Sequence, residues 1–510
     1  MKTVVIGLDG ANWSLIEPWI ENGDLPNLKY LRENGVWGIS TSQLPAVTCP
    51  NWKCYSTGKN PAKLGVFWWQ RVDRKKKKLV GYNSLSFDSL EIFDYISRAG
   101  FRVGVINMPT TYPPKKLNGF MISGAPDSAY TKYTYPETLE EELKEKYNYR
   151  VYPKIHVSTQ EDIREYIDDI LSIIDLRFDV GVDMLTKVDF LQVSIFYINV
   201  LHHFLFDDVL VKRAWKLIDS RIGEFISNEE VGNIFLMSDH GTNEIYDTFY
   251  VNTWLEREGY LKTKKSLLKN LQKIGITKQN LVKIANKMRI THLIRRTFPE
   301  RIIRSIPSED GTIAGTRILD AHIDWEKSKA IAVGQGLIYL MVDDKSEYER
   351  IREDIIKKLA NLTTPNGYKV ARNVYRKEEL YKGKYLDIAP DIIYEEGVHV
   401  YTSSGIGNEK VFGLPKKWRA ENSTEGIFLA YGNGIKKGEV LTGVSILDIA
   451  PTILYVMGIP VPNDIDGRVL KEIFEEGSEL SKGEVRYTEI NREKELLNKK
   501  IREMKKLKKL

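Results

Sequence analysis

The sequence alternates short apolar runs with amphipathic segments of helical period. Buried strands are predicted for "TVVIGLD", "VWGIST", "FRVGVIN", "DFLQVSIFYI", "GNIFLMSD", "KAIAVGQGLIYLMV", "PDIIYEE" and "GIFLAYG". Helices are predicted for segments such as "YERIREDIIKKLANL" and "ILDIAPTILYVMG". Strands that alternate with helices favour a largely parallel sheet with helices on both faces. The sequence therefore predicts an α/β fold, whose ligands bind at the carboxyl ends of the strands.

The charged residues divide the chain into an acidic body and two basic attachments. The net charge of +6 hides thirteen Lys or Arg against one acid between Lys262 and Arg304, and nine against three from Arg492 to Leu510. We predict a discontinuous core at 1–261 and 311–475, a basic helical cap insert at 262–310, and a basic helical tail at 476–510. The basic helices carry no RNA-binding motif and no interleaved aromatic residues, which disfavours nucleic acid as a partner.

Two features bear on the cellular compartment. No segment reaches the roughly 18 uncharged apolar residues of a membrane-spanning helix, and the apolar run before Asp9 is shorter than that of a signal peptide. Cys49 and Cys54 are too close in sequence to form a disulfide framework. We therefore expect a cytoplasmic protein with reduced thiols, and the sequence leaves its oligomeric state open.

Acidic and imidazole side chains follow two of the predicted strands. Asp9 comes at the end of the first strand, and Asp239 and His240 come at the end of a later one. Side chains that leave two strands at one sheet edge can reach a single cation. Each also has a structural interpretation, because Asp9 could cap the next helix and His240 could be a hydrogen-bonded core histidine.

Thr48 lies between two prolines in the stretch "LPAVTCPNWKC". If Pro50 occupies the first turn of a helix, Thr48 lies at that helix's N-terminus. Free N–H groups and the helix dipole favour an alkoxide or a phosphate there. The alternative is that Thr48 merely caps the helix.

Six motifs occur in the order found in the alkaline phosphatase superfamily: "GLDG" at 7–10, "PNLKYLRENG" at 26–35, "VTCPNW" and "TGKNPAKLGV" at 47–66, "MSDHG" at 237–241, and "SILDIAPTILYVMGIPVPNDIDGRVL" at 445–470. The sequence most resembles the type I phosphodiesterase/nucleotide pyrophosphatase branch, and within it a prokaryotic and archaeal group of predicted phosphohydrolases or phosphomutases. The motifs together cover most of residues 1–475. This resemblance implies an alkaline-phosphatase-like three-layer sandwich with a helical insert.

The resemblance also implies a metal-dependent phosphohydrolase that forms a phosphothreonine on Thr48. One divalent metal would be held tightly by Asp9, Thr48, Asp239 and His240. Zn²⁺ is the first candidate, and Mn²⁺ and Mg²⁺ are the alternatives. Coordination would lower the pKa of the hydroxyl so that it can act as a nucleophile. The substrate would be a small anionic phosphorylated molecule.

The second metal site of the family is altered in this chain. Where the family has Asp and His, the stretch "FYINVLHHF" supplies Asn199 and His203, and where it has a further His, "RAENSTEGIF" supplies Asn422. Asn brings no negative charge and is a poor zinc ligand. We expect this site to be weak, to prefer a harder ion, or to be empty. His202 or His399 could replace a lost ligand, although each is interpreted as structural.

Two alternative functions remain open. One is phosphoryl transfer between hydroxyls, as in the phosphomutases of the superfamily. The other is a catalytically weak or inactive family member that binds a phosphorylated ligand or a protein partner, an idea motivated by Asn199 and Asn422. Trp69 also stands where nucleotide-hydrolysing members carry an Asn, which weakens any prediction of nucleotide specificity.

Overall fold

The structure is a computed structural model that describes residues 1–87, 89–154, 160–264, 322–416 and 418–489. Most of the predicted basic insert and the end of the predicted tail lie outside these ranges, as do His156 and His292. Within the ranges, no helix combines the length and the apolar character needed to cross a membrane.

The strands within these ranges are β1 (Lys2–Leu8), β2 (Val36–Thr41), β3 (Gln70–Asp73), β4 (Lys78–Gly81), β5 (Val103–Met108), β6 (Gly119–Ser123), β7 (Thr134–Tyr135), β8 (Phe190–Ile195), β9 (Val231–Met237), β10 (Gly241–Glu244), β11 (Asp247–Tyr250), β12 (Ala330–Ala332), β13 (Leu337–Leu340), β14 (Ala371–Arg376), β15 (Ile392–Glu396), β16 (Val400–Ser403), β17 (Phe412–Gly413), β18 (Ala420–Ser423), β19 (Glu425–Gly432), β20 (Glu439–Ser445), β21 (Val461–Pro462) and β22 (Tyr487–Thr488). The α-helices are α1 (Trp13–Glu21), α2 (Pro26–Asn34), α3 (Thr48–Thr57), α4 (Pro61–Leu64), α5 (Ile92–Arg98), α6 (Leu139–Tyr147), α7 (Gln160–Glu165), α8 (Ile167–Met184), α9 (Tyr197–Leu205), α10 (Val209–Ile226), α11 (Val251–Arg257), α12 (Lys345–Asn361), α13 (Lys377–Leu380), α14 (Ile446–Val456) and α15 (Glu479–Lys482). Short 3₁₀-helices lie at Ser84–Ser86, Leu185–Lys187, Leu386–Ile388 and Lys471–Ile473.

A nine-stranded sheet lies at the centre of the described residues, in the order β20-β2-β19-β9-β1-β8-β5-β6-β7. The five strands from β9 to β6 are parallel to one another. Strand β19 runs antiparallel to β9 and β2, and β7 runs antiparallel to β6. The predicted, largely parallel central sheet is confirmed.

Helices cover both faces of this sheet. Alternate residues of a strand point to opposite faces, and in β1 Val4 and Ile6 belong to one apolar cluster while Val5 belongs to another. The first cluster draws residues from α1, α2, α8, α9 and α10. The second draws residues from α3, α5 and α14. The three-layer α/β arrangement is therefore confirmed.

A second sheet, of four antiparallel strands, has the order β12-β13-β15-β14. The runs "KAIAVGQGLIYLMV" and "PDIIYEE" form strands of this smaller sheet rather than of the central one. It packs with α12 into a third apolar cluster, which also includes Phe67 and Trp254. The boundaries of the predicted core, insert and tail remain predictions.

The carboxyl ends of three adjacent strands meet at one edge of the central sheet. In the parallel register Gly7 lies beside Met237, and Leu8 lies beside Ile195. The segments that leave these ends carry Asp9 after β1, Asp239 after β9 and helix α9 after β8. The parallel register therefore brings residues that are far apart in the sequence to one place.

Candidate functional site

Asp9 is fully buried, and only one of its two oxygens is hydrogen-bonded. The indole Nε1 of Trp52 donates to Oδ2 at 2.9 Å. Oδ1 has no hydrogen-bond partner within the described residues. The alternative in which Asp9 caps the next helix is not realised, because Asn12 holds that position and accepts the N–H of Leu15.

Gly10 makes the turn after Asp9 with a φ of +67°, a conformation that favours glycine. A Cβ at this position would lie 2.2 Å from Oδ1 of Asn199. The backbone N–H of Gly10 donates to Oδ1 of Asp239 at 3.2 Å. The glycine thus allows the chain after β1 to approach both the strand end of β9 and helix α9.

His240 turns one ring nitrogen toward the two buried carboxyl groups. Its Nδ1 lies 2.9 Å from the carbonyl oxygen of Gly241, which can only accept, so Nδ1 carries the proton and donates. The lone pair therefore lies on Nε2, which is 3.2 Å from Oδ2 of Asp239 and 3.6 Å from Oδ1 of Asp9. This is the tautomer that a metal-binding histidine adopts.

Thr48 is the first residue of α3, and Pro50 lies in its first turn, as predicted. The hydroxyl Oγ1 lies 3.2 Å from Nε2 of His240, and the residue is only 5% exposed. The cap position belongs to Val47, which has no side-chain capping bond. The alternative in which Thr48 merely caps the helix is therefore not realised.

Asn51 fixes the loop in front of Thr48. Its side-chain oxygen accepts the N–H of Gln43 at 2.8 Å. Its amide nitrogen lies within 3.1 Å of the carbonyl oxygens of Gln43, Pro45 and Val47. Because Asn51 belongs to the first turns of α3, these bonds hold the loop and the start of the helix as one unit.

The charges of this site are unbalanced. Burial and the neighbouring Asp239 carboxyl raise the pKa of Asp9 well above its ordinary value. Burial raises the pKa of Asp239 to about 8, although backbone N–H groups and Thr48 act in the opposite direction. Burial also lowers the pKa of His240. Two carboxyl groups and a neutral imidazole thus face one another without a Lys or Arg partner among the described residues.

These side chains fit a divalent cation. One ligand atom each from Asp9, Asp239 and His240 lies within 4.8 Å of the others, and this is the group of metal-binding type found within the described ranges. Oδ1 of Asp9 and Oδ2 of Asp239 are buried without hydrogen-bond partners there. Two carboxylate oxygens, one imidazole nitrogen and a nearby hydroxyl suit Zn²⁺ or Mn²⁺ in their chemistry.

The residues predicted for the second metal lie on α9 and β18. His203 donates from Nδ1 to the carbonyl oxygen of Ala420, 2.9 Å away, which leaves the lone pair on Nε2. Oδ1 of Asn199 and Oδ1 of Asn422 are buried and have no hydrogen-bond partner within the described residues. One imidazole and two neutral amide oxygens do not fit Zn²⁺.

His202 and His399 each make a hydrogen bond outside this second set. His202 is fully buried, accepts the indole N–H of Trp215 at 3.0 Å, and has its pKa lowered to about 3 by burial. His399 donates from Nδ1 to the carbonyl oxygen of Glu244 at 2.8 Å, and its ring stacks on Tyr246. Both hydrogen bonds agree with the structural interpretation.

Two functional candidates escaped the sequence analysis. Trp52 holds Asp9 but lies in an ordinary helical segment. Glu421 is 3% exposed, and its Oε1 lies 3.9 Å from Nδ1 of His203. Its position next to Asn422 in "RAENSTEGIF" was the one available signal.

An open cleft lies beside Val47, the residue before α3, and encloses about 600 Å³ of space that includes open solvent. One wall is the segment Leu44–Val47, directly before Thr48, and another contains Glu421 and Asn422. Glu395 and Glu396, at the end of β15, form a third part of the lining. The cleft therefore connects the start of α3 with β18 and with the smaller sheet.

Comparisons with known proteins agree on the family and the fold. The model of the type I phosphodiesterase / nucleotide pyrophosphatase family matches residues 3–422. An inactive threonine-to-alanine variant of murine ectonucleotide pyrophosphatase/phosphodiesterase 5, in complex with AMP, is similar in structure, with a TM-score of 0.53, 11% identity, and coverage of 93% of this chain and 100% of that one. Phosphonoacetate hydrolase from Sinorhizobium meliloti 1021, in complex with phosphonoformate, has a TM-score of 0.53, 15% identity, and coverage of 88% and 94%. No curated protein sequence matches significantly.

Proposed function

Because the chain belongs to the type I phosphodiesterase/nucleotide pyrophosphatase family, we propose that it is a metal-dependent phosphoric ester hydrolase in which Thr48 is the nucleophile. The single observation that carries this proposal is the place of the Thr48 hydroxyl. It lies 3.2 Å from Nε2 of His240, beside two buried carboxyl groups that lack a Lys or Arg partner in the described residues. A threonine that only caps a helix or fills the core would not require an imidazole and two carboxyl groups around its hydroxyl.

In this proposal Asp9, Asp239, His240 and Thr48 hold one divalent cation. When bound, that cation would lower the pKa of the Thr48 hydroxyl and offset the negative charge of the phosphoryl oxygens. The N-terminal N–H groups of α3 would add a second source of positive potential at the phosphoryl group. Asn51 would keep the loop before Thr48 in place, because its side-chain oxygen accepts from Gln43 and its NH₂ group is shared among three carbonyl oxygens of that loop.

The chemical steps follow from these positions. Oγ1 of Thr48 attacks phosphorus, and the bond from phosphorus to the alcohol oxygen breaks as the new O–P bond forms. The proton that Oγ1 gives up leaves with the alcohol, and a phosphothreonine remains. Water then attacks the same phosphorus, the bond between Oγ1 and phosphorus breaks, and the phosphate product leaves with the oxygen of the water while a proton returns to Oγ1.

The second site is proposed to bind a cation weakly or to favour an ion harder than Zn²⁺. His203 offers the lone pair of Nε2, and Asn199 and Asn422 offer neutral amide oxygens. Zn²⁺ as the tightly held metal, Mn²⁺ or Mg²⁺ as alternatives, a small anionic phosphorylated substrate and a cytoplasmic location stay predictions. The AMP bound in the similar murine structure supports a phosphate ester as the substrate of this chain. Trp69 leaves open whether that ester is a nucleotide.

The test is hydrolysis of bis(p-nitrophenyl) phosphate and p-nitrophenyl phosphate with Zn²⁺, Mn²⁺ or Mg²⁺. Thr48→Ala should lower kcat/KM at least about 1,000-fold, as expected when a nucleophile is removed. Thr48→Ser should keep measurable activity because it keeps the hydroxyl. Undiminished activity of Thr48→Ala would reject the proposed nucleophile.

A matched control lies at the other end of the same helix. Thr57 is buried, and its hydroxyl donates to the carbonyl oxygen of Lys53 at 2.6 Å. Thr57→Ala makes the same chemical change in α3 without touching the site, so it should keep nearly full activity. If both variants lose activity equally, the loss reports damage to the helix rather than to the nucleophile.

Asn199 and Asn422 favour a second candidate, a family member that binds a phosphorylated ligand without turnover. No hydrolysis with any of the three metals, together with phosphate-ester binding measured by calorimetry, would support it. A phosphomutase would instead form an isomer of a doubly hydroxylated substrate without releasing inorganic phosphate.

A further inference from the structure

We infer that this chain binds a single divalent cation and that Asn199 makes the second cation of the family unnecessary. The inference rests on the metal site proposed above and deepens it, because it gives Asn199 a role as the residue that positions Asp9. The second position would then hold water or a hydroxyl group of the substrate in place of an ion.

Asn199 lies near the start of α9 and contacts the turn that carries Asp9. It is 3% exposed. A Cβ at Gly10 would lie 2.2 Å from Oδ1 of Asn199 and 3.0 Å from Oγ1 of Thr242, so the amide packs directly against this turn. Burial raises the pKa of Asp9, while hydrogen bonding by Trp52 and by Asn199 acts in the opposite direction. The side chain at position 199 therefore faces the carboxyl group of Asp9.

Asn422 is joined to the same turn through β10. In the antiparallel ladder of β10 and β18 it pairs with Thr242, whose hydroxyl donates to the carbonyl oxygen of Gly10 at 2.6 Å. His203 follows Asn199 by one turn of α9, and its lone pair is on Nε2 because Nδ1 donates to a backbone carbonyl. The two asparagines are thus connected to the turn after β1, one through α9 and the other through β10.

The charges of the two sets of residues call for one divalent ion. When they bind a metal, Asp9 and Asp239 together carry two negative charges, which one dication neutralises. The second set, of two amides and one imidazole, brings no charge as metal ligands. A second dication there would be a buried charge without a counter-ion, and such a charge is costly.

An aspartate at position 199 would change this balance. Its carboxylate would face that of Asp9 across the contact described above, and two like charges so close repel each other unless a cation lies between them. The asparagine removes this repulsion, and its amide N–H can donate to a carboxylate. Asn199 therefore orients Asp9 toward the first cation without the help of a second one.

The unpartnered oxygens of the second set need a donor and not a charge. Oδ1 of Asn199 and Oδ1 of Asn422 are buried without hydrogen-bond partners in the described residues. A buried acceptor without a donor is costly, but a water molecule or a hydroxyl group of the substrate satisfies it. Either donor is neutral, so it fits the balance of charges better than a second ion does.

Glu421 is the acid that could restore a charge to the second set, because its Oε1 lies 3.9 Å from Nδ1 of His203. That nitrogen carries the proton, however, and the lone pair of the ring is on Nε2. Glu421 also precedes Asn422 in β18, and successive residues of a strand point to opposite faces. We therefore place the Glu421 carboxylate outside the ligand set.

The experiment counts metal ions per chain. The metal-free wild-type chain would be dialysed against Zn²⁺ or Mn²⁺ at about 100 times the Kd of the first site, which fills that site. Elemental analysis should then find one equivalent of either ion, and the Zn²⁺-loaded chain should take up no Mg²⁺. The Mn²⁺-loaded chain should give the electron paramagnetic resonance spectrum of an isolated ion. A second equivalent, or a spectrum of coupled ions, would overturn the inference.

Two double variants test the part played by the asparagines. Asn199→Asp with Asn422→His restores the ligand types of the family and should bind two equivalents of Zn²⁺. The matched control is Asn199→Asp with Asn243→His, because Asn243 follows the partner of Asn422 in β10 and so points to the other face. The control should stay at one equivalent. One equivalent in both would contradict the role of the asparagines, and if a double variant fails to fold, the wild-type count and spectrum still decide.

Two single variants test the positioning of Asp9 and the rival ligand. Asn199→Ala should keep one equivalent but raise its Kd for Zn²⁺ about tenfold, because a metal ligand loses an orienting partner. An unchanged Kd would show that Asn199 does not position Asp9. Glu421→Gln should keep one equivalent with the wild-type Kd, and loss of the ion would make Glu421 a ligand and overturn the inference.

The counts also separate this inference from the proposed function. No bound metal in the wild-type chain would reject both the inference and the proposed metal site. Absence of hydrolysis by a chain that holds one ion would reject the proposed function alone, because the number of bound ions does not depend on turnover.

Discussion

Two groups of buried acids lie around helix α3, and they differ in the source of positive charge. In the closed cluster (Lys53, Glu91, Lys115), Glu91 is 6% exposed and accepts from Lys53 at 2.8 Å and from Lys115 at 2.7 Å. Burial opposes the ionisation of Glu91, but the two ammonium groups outweigh it and lower its pKa to about 2. The acid of the closed cluster is therefore satisfied by the chain itself.

The site acids (Asp9, Asp239, Glu396, Glu421) have no Lys or Arg partner within the described residues. Burial, without such compensation, raises the pKa of Asp239 to about 8, and burial together with Glu421 raises that of Glu396 to about 8. The cost of burying a charged carboxylate is offset by two lysines in the closed cluster, whereas no Lys or Arg of the described residues offsets it at the site acids. This difference is the one expected if a divalent cation completes Asp9 and Asp239, as proposed, whereas the closed cluster serves stability.

The largest expected effect comes from breaking the closed cluster. Glu91→Gln leaves the ammonium group of Lys53, whose side chain is 2% exposed, without its anion. We expect a loss of about 3–5 kcal/mol in the free energy of unfolding. Asp239→Asn, measured by urea unfolding in the same metal-free buffer, should cause no loss, because it removes a carboxylate that burial already disfavours. Equal losses in the two variants would remove the distinction between the regions.

The free energy of unfolding should change with pH in opposite directions for the acid of the closed cluster and for the site acids. Glu91 and Glu396 share an ordinary pKa of 4.5, which is lowered to about 2 in Glu91 and raised to about 8 in Glu396. Glu91 therefore stabilises the fold above pH 4.5, and this contribution, about 3 kcal/mol, is lost as the pH falls toward 2. Glu396 keeps a proton between pH 4.5 and 8 that the unfolded chain has released, so its contribution falls as the pH rises through that window.

Urea unfolding across this pH range in metal-free buffer would check both signs. Glu91→Gln should flatten the acid limb of the stability curve, and Glu396→Gln should flatten the limb between pH 4.5 and 8. A Glu396→Gln curve that runs parallel to that of the wild type would show that this acid is not held in its neutral form.

Metal addition should stabilise through the site acids and not through the closed cluster. A cation at 100 times its Kd raises the free energy of unfolding by about 2.7 kcal/mol. Wild type and Glu91→Gln should both gain this amount from Zn²⁺ or Mn²⁺ in thermal or urea unfolding. Asp239→Asn should gain little, because it lacks one of the three ligand atoms that lie within 4.8 Å of one another. An equal gain in all three chains would place the metal elsewhere.

The site acids could be predicted from the sequence where they follow strands. Asp9, Asp239 and His240 leave adjacent parallel strands, so alternation of strands and helices already indicates that they converge. Thr48 follows β2, which is separated from β9 by β19, so no strand-adjacency argument reaches it. The order of family motifs supplied that prediction instead.

The other contacts of the site could not be predicted, because they join segments that are far apart in the sequence. Lys53 and Glu91 are 38 residues apart, and Trp52 and Asp9 are 43 apart. Nothing in either segment marks its partner, because helical and strand periodicity report which face is buried and not what meets it. The smaller antiparallel sheet was missed as a separate sheet for the same reason, since strand pattern alone does not give strand partners.

The smallest expected effect concerns Trp52, which joins α3 to the site acids. Its indole donates to Oδ2 of Asp9 at 2.9 Å, and its ring packs so close to Gly7 that a Cβ there would lie 2.3 Å away. Trp52→Phe keeps most of the apolar volume and removes the donor. A hydrogen bond that orients a metal ligand is worth about tenfold in metal affinity, or about 1.4 kcal/mol.

Trp215→Phe provides the matched control, because Trp215 is equally buried and its indole donates to Nε2 of His202 at 3.0 Å. Both variants should lose about 1 kcal/mol of metal-free stability, the usual value of one hydrogen bond. Only Trp52→Phe should raise the Kd for Zn²⁺ or Mn²⁺, measured by calorimetry with competing chelator. A normal Kd in Trp52→Phe would show that Asp9 needs no orienting donor. An equal rise in Kd in Trp215→Phe would show that the effect comes from general loosening of the fold and not from the lost hydrogen bond to Asp9.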